Sequence, residues 1–379
     1  MNKVKVMTVF GTRPEAIKMA PLIKVLKASS DIETVVCVTA QHREMLDQVL
    51  DTFQIIPDYD LDIMKTKQTL SDITARVLNK VGAVLEKERP DMVLVHGDTS
   101  TTFCAALASF YHHIAIGHVE AGLRTYNKYA PFPEEANRQF VGDIADLHFA
   151  PTKTAASYLL KEGKKPETVY VTGNTVIDAL QYTLQENYHH AVLDWVKDHR
   201  LILLTAHRRE NLGEPMYQIF RAILRLVETH QDIKVVYPVH LNPQIKQIAQ
   251  EVFQNHERIA LIEPLDVVDF HNFIQRAYLI LTDSGGIQEE AAALGKPVLV
   301  LRNTTERPEG VAAGTLKLVG TEVEKVRAEM IRLLEDEKAY TEMANAKNPY
   351  GDGKAADRIM DAIAYYFDKE HNQKPVDFN

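Results

Sequence analysis

Short runs of consecutive apolar residues alternate with longer stretches in which apolar positions recur at helical spacing. This alternation passes through the chain twice. In the first half the apolar runs are Val4–Phe10, Thr34–Thr39, Met92–Val95, Ile114–Val119 and Leu147–Ala150, and helical patterns lie near Pro14–Ala28, Leu70–Lys87, Thr101–Phe110 and Glu135–Ile144. In the second half the runs are Leu201–Thr205, Lys234–Val239, Ile259–Ile262, Tyr278–Thr282 and Val298–Leu301, with helical patterns near Met216–Glu228, Pro243–Glu251, Val267–Ile274, Ile287–Leu294 and Val323–Leu334. Near-continuous apolar strands separated by helices predict parallel sheets covered on both faces. The expected fold is therefore α/β, with two Rossmann-like, doubly wound domains facing a central cleft. The boundary falls in the stretch Gly173–His199 and is drawn as 1–173 and 174–379, with the final segment 355–379 able to pack back on the first domain.

Length and composition agree with that picture. The chain has 379 residues, 45% hydrophobic and 25% charged, the balance of a globular enzyme of two or three domains. The formal net charge of −9 argues against a nucleic-acid-coating protein, which needs a basic face. No apolar run reaches the length of a membrane span, and Met1–Phe10 reads as a buried strand rather than a signal peptide. Two cysteines, Cys37 and Cys104, imply no disulfide framework and fit a reducing, cytoplasmic setting.

In open parallel sheets, ligands sit beyond the carboxyl ends of the strands. The first strand end carries Gly11, Arg13, Pro14 and Lys18, which place two cations by a helix N-terminus where an anion is already favoured. A dinucleotide fingerprint G-x-G-x-x-G is absent from this position, and Gly295-Lys296 is followed by Pro297, so there is no P-loop. Asp98, Glu120 and Glu134 follow successive strands or open a helix. Asp98 could merely cap a helix and Glu134 could merely favour its first turn. Three carboxylates at successive strand ends also suit proton transfer, because close carboxylates raise one another's pKa. In the second half, His207 and His240 each follow a strand and could act as acid, base or phosphate ligand, or be structural. The strongest local signal is Thr282-Asp283-Ser284-Gly285-Gly286, where a strand ends, two glycines expose backbone and a helix begins. That geometry suits a diphosphate, and Glu290, one turn on, could hold ribose hydroxyls. No metal is expected: His112-His113 and His189-His190 are adjacent pairs, and no H-E-x-x-H or C-x-x-C occurs.

The strings GTRPEAIK, HGDTSTT, HVEAGLRT, PFPEEANR, TGNTVIDAL, TAHRREN, PVHLNP, TDSGGIQEEA and NTTERPEG closely resemble those of the bacterial non-hydrolysing UDP-N-acetylglucosamine 2-epimerases. The resemblance runs from Val6 to about Gly353. It implies a GT-B (glycogen-phosphorylase-like) architecture, a homodimer, no NAD and no metal. It further implies interconversion of UDP-GlcNAc and UDP-ManNAc through loss of UDP to 2-acetamidoglucal and its re-addition, supplying ManNAc for cell-surface polysaccharide. The catalytic set so implied is Asp98, Glu120, Glu134, His207 and Lys18. The substrate set is Arg13, Ser284, Gly285, Gly286, Glu290, Phe270, Arg138 and Asn174. UDP-GlcNAc is also expected as an allosteric activator, in a second pocket lined by Gln41, Gln68, Arg208 and His240. Neither nucleic acid nor membrane is expected as a partner. The rival readings are a GT-B UDP-sugar glycosyltransferase, a hydrolysing epimerase that releases free ManNAc, and a non-catalytic nucleotide-sugar sensor.

Overall fold

The computed structural model describes residues 3–40, 43–65 and 68–378. Among these, β1 (Val4–Phe10), β2 (Ile32–Val38), β3 (Tyr59–Asp60), β4 (Met92–His96), β5 (Ala115–Val119), β6 (Leu147–Ala150) and β7 (Val169–Val171) form one sheet in the order β3-β2-β1-β4-β5-β6-β7. A second sheet holds β8 (Arg200–Thr205), β9 (Ile233–Pro238), β10 (Ile259–Ile262), β11 (Leu279–Thr282), β12 (Val298–Val300) and β13 (Leu316–Leu318), in the order β10-β9-β8-β11-β12-β13. Every strand pair is parallel. The doubly wound α/β class that the alternation predicts is thus present twice.

Both orders reverse in the same way. The chain winds outward from β1 through β3, returns to β4 beside β1, and then winds in the other direction. The second sheet does the same at β8 and β11. Each reversal opens a crevice at the carboxyl ends of the two central strands. The loops after β1 and β4, and those after β8 and β11, are therefore neighbours for topological reasons.

Successive residues of the central strands are buried alike: Val6, Met7, Val9 and Phe10 in β1 and Met92 to Val95 in β4 are each 0% exposed. Met7, Val9, Val93 and Val95 pack with Val77 and Val81 of the helix Leu70–Glu88 and with Cys104 and Ala105 of the helix Ser100–Tyr111. The second unit has its own core, in which Ile202, Leu204, Val235 and Leu281 meet Ile219, Phe220 and Ile223 of the helix Glu214–Thr229. Among the described residues no helix is long and apolar enough to cross a membrane.

The chain divides into a unit of residues up to Tyr182 joined by those from Gly351, and a unit Thr183–Tyr350. The division thus follows Tyr182 rather than Gly173, and the last segment joins the first unit. The bonds that tie it there are specific. Asp178 accepts from the N–H groups of Ala355 and Ala356 at 3.2 and 2.8 Å, capping the helix Ala355–Phe367. Arg358 donates to Thr172 O at 3.1 Å, and Phe378 N to Val171 O at 2.7 Å.

Gly11 is fixed by space. A Cβ on Gly11 would lie 1.9 Å from Thr39 Oγ1 and 2.9 Å from Thr101 Oγ1, two hydroxyls that themselves bond at 2.9 Å. Gly11→Ala is expected to lower stability by about 1–3 kcal/mol, as overpacking of a dense site does. Thr39→Ala in the same chain should recover part of the loss, measured by urea unfolding.

Candidate active site

In the first unit, Thr12 caps the helix Arg13–Ala28 in a capping box with Glu15. Glu15 is 2% exposed and reaches across the reversal. One oxygen accepts from Gly11 N and Thr12 N at 3.0 and 2.8 Å; the other accepts from Thr99 Oγ1 at 2.6 Å and lies 3.1 Å from Thr102 Oγ1. The loops after β1 and β4 are thereby joined. Arg13 opens that helix, half-buried, and Lys18 lies about a turn further along.

Lys18 pairs directly with the Glu120 carboxylate. The same Glu120 oxygen accepts from Asn174 Nδ2 at 2.9 Å, and His96 Nε2 stands 3.8 Å away. Glu120 follows β5 in the left-handed region, with φ 62°, an uncommon conformation for a residue with a side chain. Burial holds the His96 imidazole neutral, its pKa depressed to about 3 although Glu120 opposes the shift. Lys18, Glu120 and Asn174, expected from separate motifs, therefore meet at one oxygen.

Asp98 lies beside them. It does not cap the helix Ser100–Tyr111, because Thr99 does. Its carboxylate stands 3.2 Å from Arg138 Nη2. Burial pushes its pKa up from 3.8 to about 6; Arg138 and Lys18 oppose the rise, and the negative charges of Glu120 and Glu134 add to it. Glu134 begins the helix Glu134–Ile144, with Glu135 next to it in the first turn. Glu135 is 0% exposed and accepts from Thr125 N and Tyr126 N at 3.0 and 2.9 Å, which shapes the loop between Glu120 and Glu134. The peptide bonds before Pro131 and Pro133 in this loop are cis.

In the second unit Asp283 has the place that Glu15 has in the first. It is 0% exposed and accepts from His207 N at 2.9 Å, Arg208 N at 2.9 Å and Asn211 Nδ2 at 3.0 Å. This joins the loops after β8 and β11. His207 stacks on His240 with ring centroids 5.5 Å apart, and its Nδ1 is 3.4 Å from Asp283 Oδ1. Its pKa is lowered, mainly by burial, with Asp283 opposing and His240 and Arg208 contributing.

Ser284 precedes the helix Gly285–Ala293 without capping it through its side chain. A Cβ built on Gly285 would have no neighbour nearer than 3.7 Å, and one on Gly286 none nearer than 4.0 Å. The helix thus begins with two residues without side chains, with Glu306 Oε2 and the Arg307 guanidinium in contact range of the first, a form of N-terminus that suits phosphate oxygens. Glu290 lies 3.7 Å from His271 Nε2 on the same helix's inner turn, and Phe270 is half-buried on the neighbouring helix Val267–Arg276. Cations flank the region: Arg208 lies 3.8 Å from Glu306, Arg302 bonds Glu210 at 2.6 Å, and Arg307 pairs with Glu289.

The residues expected to line a second pocket are not gathered within one unit. Gln68 belongs to the first, where its Oε1 accepts from Arg76 at 2.9 Å, whereas Arg208 and His240 sit by His207 in the second. Gln41 lies outside the described residues. Among the described residues no group of three or more His, Cys, Asp or Glu side chains is arranged to hold a metal ion. Glu15, Glu135 and Asp283, which organise both strand-end clusters, are absent from the sequence-derived site. Thr12-x-x-Glu15 was a readable capping box. Asp283 stands inside the strongest local signal, but its part in joining the loops left no trace there, since its donors lie on a different strand's loop.

Two doubly wound sheets, one with paired carboxylates and cations at its reversal and one with a glycine-opened helix N-terminus, define the GT-B-like class of α/β proteins. A family profile described as UDP-N-acetylglucosamine 2-epimerase matches residues 24–364. The chain is 60% identical to the UDP-N-acetylglucosamine 2-epimerase of Bacillus subtilis over 367 residues, 97% of each chain. It resembles the solved structure of S. aureus MnaA with UDP at TM-score 0.92 and 56% identity, covering 99% of this chain and 100% of that one. It also resembles the Neisseria meningitidis UDP-GlcNAc 2-epimerase bound to UDP-GlcNAc, at TM-score 0.88 and 49% identity, covering 95% and 100%. The chain belongs to the UDP-N-acetylglucosamine 2-epimerase family and is an enzyme of it.

The Asp98 assignment makes a titration test. A folded-state pKa above the ordinary value means that ionisation weakens the fold: stability present below about pH 4 is lost as pH rises through about 6. Carbon-13 NMR should show a carboxyl titrating near pH 6 that is missing in Asp98→Asn. Arg138→Gln should move it higher, since the guanidinium is the main opposing influence.

Proposed function

We propose that the protein interconverts UDP-GlcNAc and UDP-ManNAc by eliminating UDP and adding it back. The C2 hydrogen of the sugar is not acidic, because no carbonyl adjoins it in the ring. Loss of UDP from C1 offers a route to inversion. A base takes the C2 proton as the C1–O bond breaks, and the electron pair leaves with the diphosphate. The products are UDP and 2-acetamidoglucal. In return, a proton reaches C2 from the opposite face and the diphosphate oxygen re-forms the bond to C1.

The observation that carries this reading is the contrast between two carboxyl groups on adjacent strand ends. Asp98 is pushed up to about 6, where it can carry a proton near neutrality, while Glu120 is held against the Lys18 ammonium. Glu134 stands near Asp98 as the third proton-transfer candidate. Ser284, Gly285, Gly286, Arg13 and His207 serve the diphosphate, Glu290 the ribose, and Phe270, Arg138 and Asn174 complete the substrate contacts. The Neisseria relative's bound UDP-GlcNAc supports the substrate class. The resemblance also supports a homodimer that works without NAD or metal in the cytoplasm and supplies ManNAc for surface polysaccharide.

Proton NMR of UDP-GlcNAc with the protein in deuterated water, without added cofactor, should show UDP-ManNAc carrying deuterium at C2. Tight UDP binding with neither epimer nor exchange would sink the reading, and free ManNAc would move it to a hydrolysing course. Asp98→Asn, Glu120→Gln and Glu134→Gln should each lower turnover roughly a hundredfold or more while UDP affinity changes little. Near-normal turnover in all three would remove the proton-transfer assignment.

The same reading makes UDP-GlcNAc an activator at a second pocket involving Gln41, Gln68, Arg208 and His240. The stacking of His240 on His207 supports a link between such a pocket and the diphosphate contacts. Pure UDP-ManNAc should then be turned over only after a lag, which added UDP-GlcNAc removes. Hyperbolic kinetics with no lag would count against the pocket.

A further inference from the structure

The turn that carries Asp98 is held by three successive carbonyl groups, each engaged by a different element. His96 O accepts from Thr102 Oγ1 of the helix Ser100–Tyr111 at 2.5 Å. Gly97 O lies 2.7 Å from His118 Nε2 of β5. Asp98 O accepts from Asn137 Nδ2 of the helix Glu134–Ile144 at 2.9 Å. Gly97 N also donates to Val119 O at 2.8 Å, and Gly97 has φ 67°. Gly97, the residue before Asp98, is therefore held by β5 through both its N–H and its carbonyl.

His118 takes no part in the proposed chemistry. It is 0% exposed. A carbonyl oxygen can only accept, so Nε2 must bear a proton. Among the described residues Nδ1 has no hydrogen-bond partner. A second proton there would be a buried N–H without an acceptor, in a surrounding that includes Arg124 and Arg138. The ring is thus a neutral donor of fixed tautomer. Burial keeps it uncharged, depressing its pKa to about 4; the Gly97 carbonyl and Glu120 oppose this, and Arg124 and Arg138 add to it. His96 and His148, both buried and themselves held neutral, are its other titratable neighbours.

We propose that His118 is a positioning residue: its ring N–H fixes the Gly97 carbonyl and, through the Gly97–Asp98 peptide, sets where the Asp98 carboxyl stands. The proposal rests on Asp98 transferring a proton. The groups that face Asp98 itself, namely Arg138, Glu120, Glu134 and Lys18, are all retained in a His118 variant. Any movement of the Asp98 titration then reports the turn and not a lost charge, because His118 carries none.

Two variants of similar bulk separate the donor from mere filling. His118→Met removes the donor, and His118→Gln keeps an N–H at the corresponding reach. His118→Met should lower kcat about tenfold to a hundredfold, as a small displacement of a reacting group does, with KM changed less than about twofold. It should also displace the Asp98 carboxyl titration. His118→Gln should restore most of both. A folded His118→Met enzyme with the kcat and Asp98 titration of the wild type would overturn the proposal, as would a Gln variant no better than Met. Where the Met variant does not fold, long-range ¹H–¹⁵N correlation on the histidine-labelled wild type decides. A bare Nδ1 and a protonated Nε2 between about pH 6 and 8 would support the clamp, and a proton on Nδ1 in that range would overturn it. No exchange at C2 in the wild type would remove the functional reading and this role together. Exchange in the wild type with indifferent His118 variants would remove this role alone.

Discussion

Two buried carboxylates hold the strand ends at the points where the sheets reverse. Taking a carboxylate out of water costs several kcal/mol unless hydrogen bonds replace its hydration. Glu15 replaces it with backbone N–H groups of the loop after β1 and a threonine hydroxyl of the loop after β4, and Asp283, itself in the loop after β11, with backbone and side-chain N–H groups of the loop after β8. Losing one loop's donors would strand a charge in the interior. Each crevice is therefore fixed by a constraint that neither sheet's ladder supplies. The same solution appears in both units, with a glutamate after the first strand in one and an aspartate after the fourth in the other.

The carboxyl groups nearest the proposed chemistry are treated differently. Asp98 meets Arg138 at 3.2 Å, but burial, with the fields of Glu120 and Glu134 added, outweighs that contact, so its proton is held more tightly than usual. Glu120 shares one oxygen among an ammonium, an amide and a nearby neutral imidazole. A carboxylate saturated by backbone amides is a fixed strut, whereas Asp98, pushed up to about 6, can change its protonation state near neutrality. The first unit holds both kinds at one sheet reversal.

The fold class was legible because the central strands are buried on both faces and read as unbroken apolar runs. The edge strands Tyr59–Asp60 and Leu316–Leu318 were not, since two or three residues carry no period. The boundary after Gly173 missed the capping of Ala355 and Ala356 by Asp178, a bond that joins distant parts of the chain and leaves no local trace. Strand-end residues such as Asp98, Glu120 and Ser284 could be picked out because topology alone sends strand ends to a crevice. The second-pocket set was harder to read: its members fall in different units, and their company is decided by tertiary structure.

The left-handed backbone of Glu120 has an evolutionary side. A side-chain-bearing residue at φ 62° carries a conformational cost of order 1–3 kcal/mol that glycine would not. Selection for heat resistance alone would push this position toward glycine, and selection for turnover, on the role proposed for Glu120, would hold the glutamate. Variants evolved only to survive heating are therefore prone to erode function here first, and a library meant to harden the scaffold should leave the position untouched.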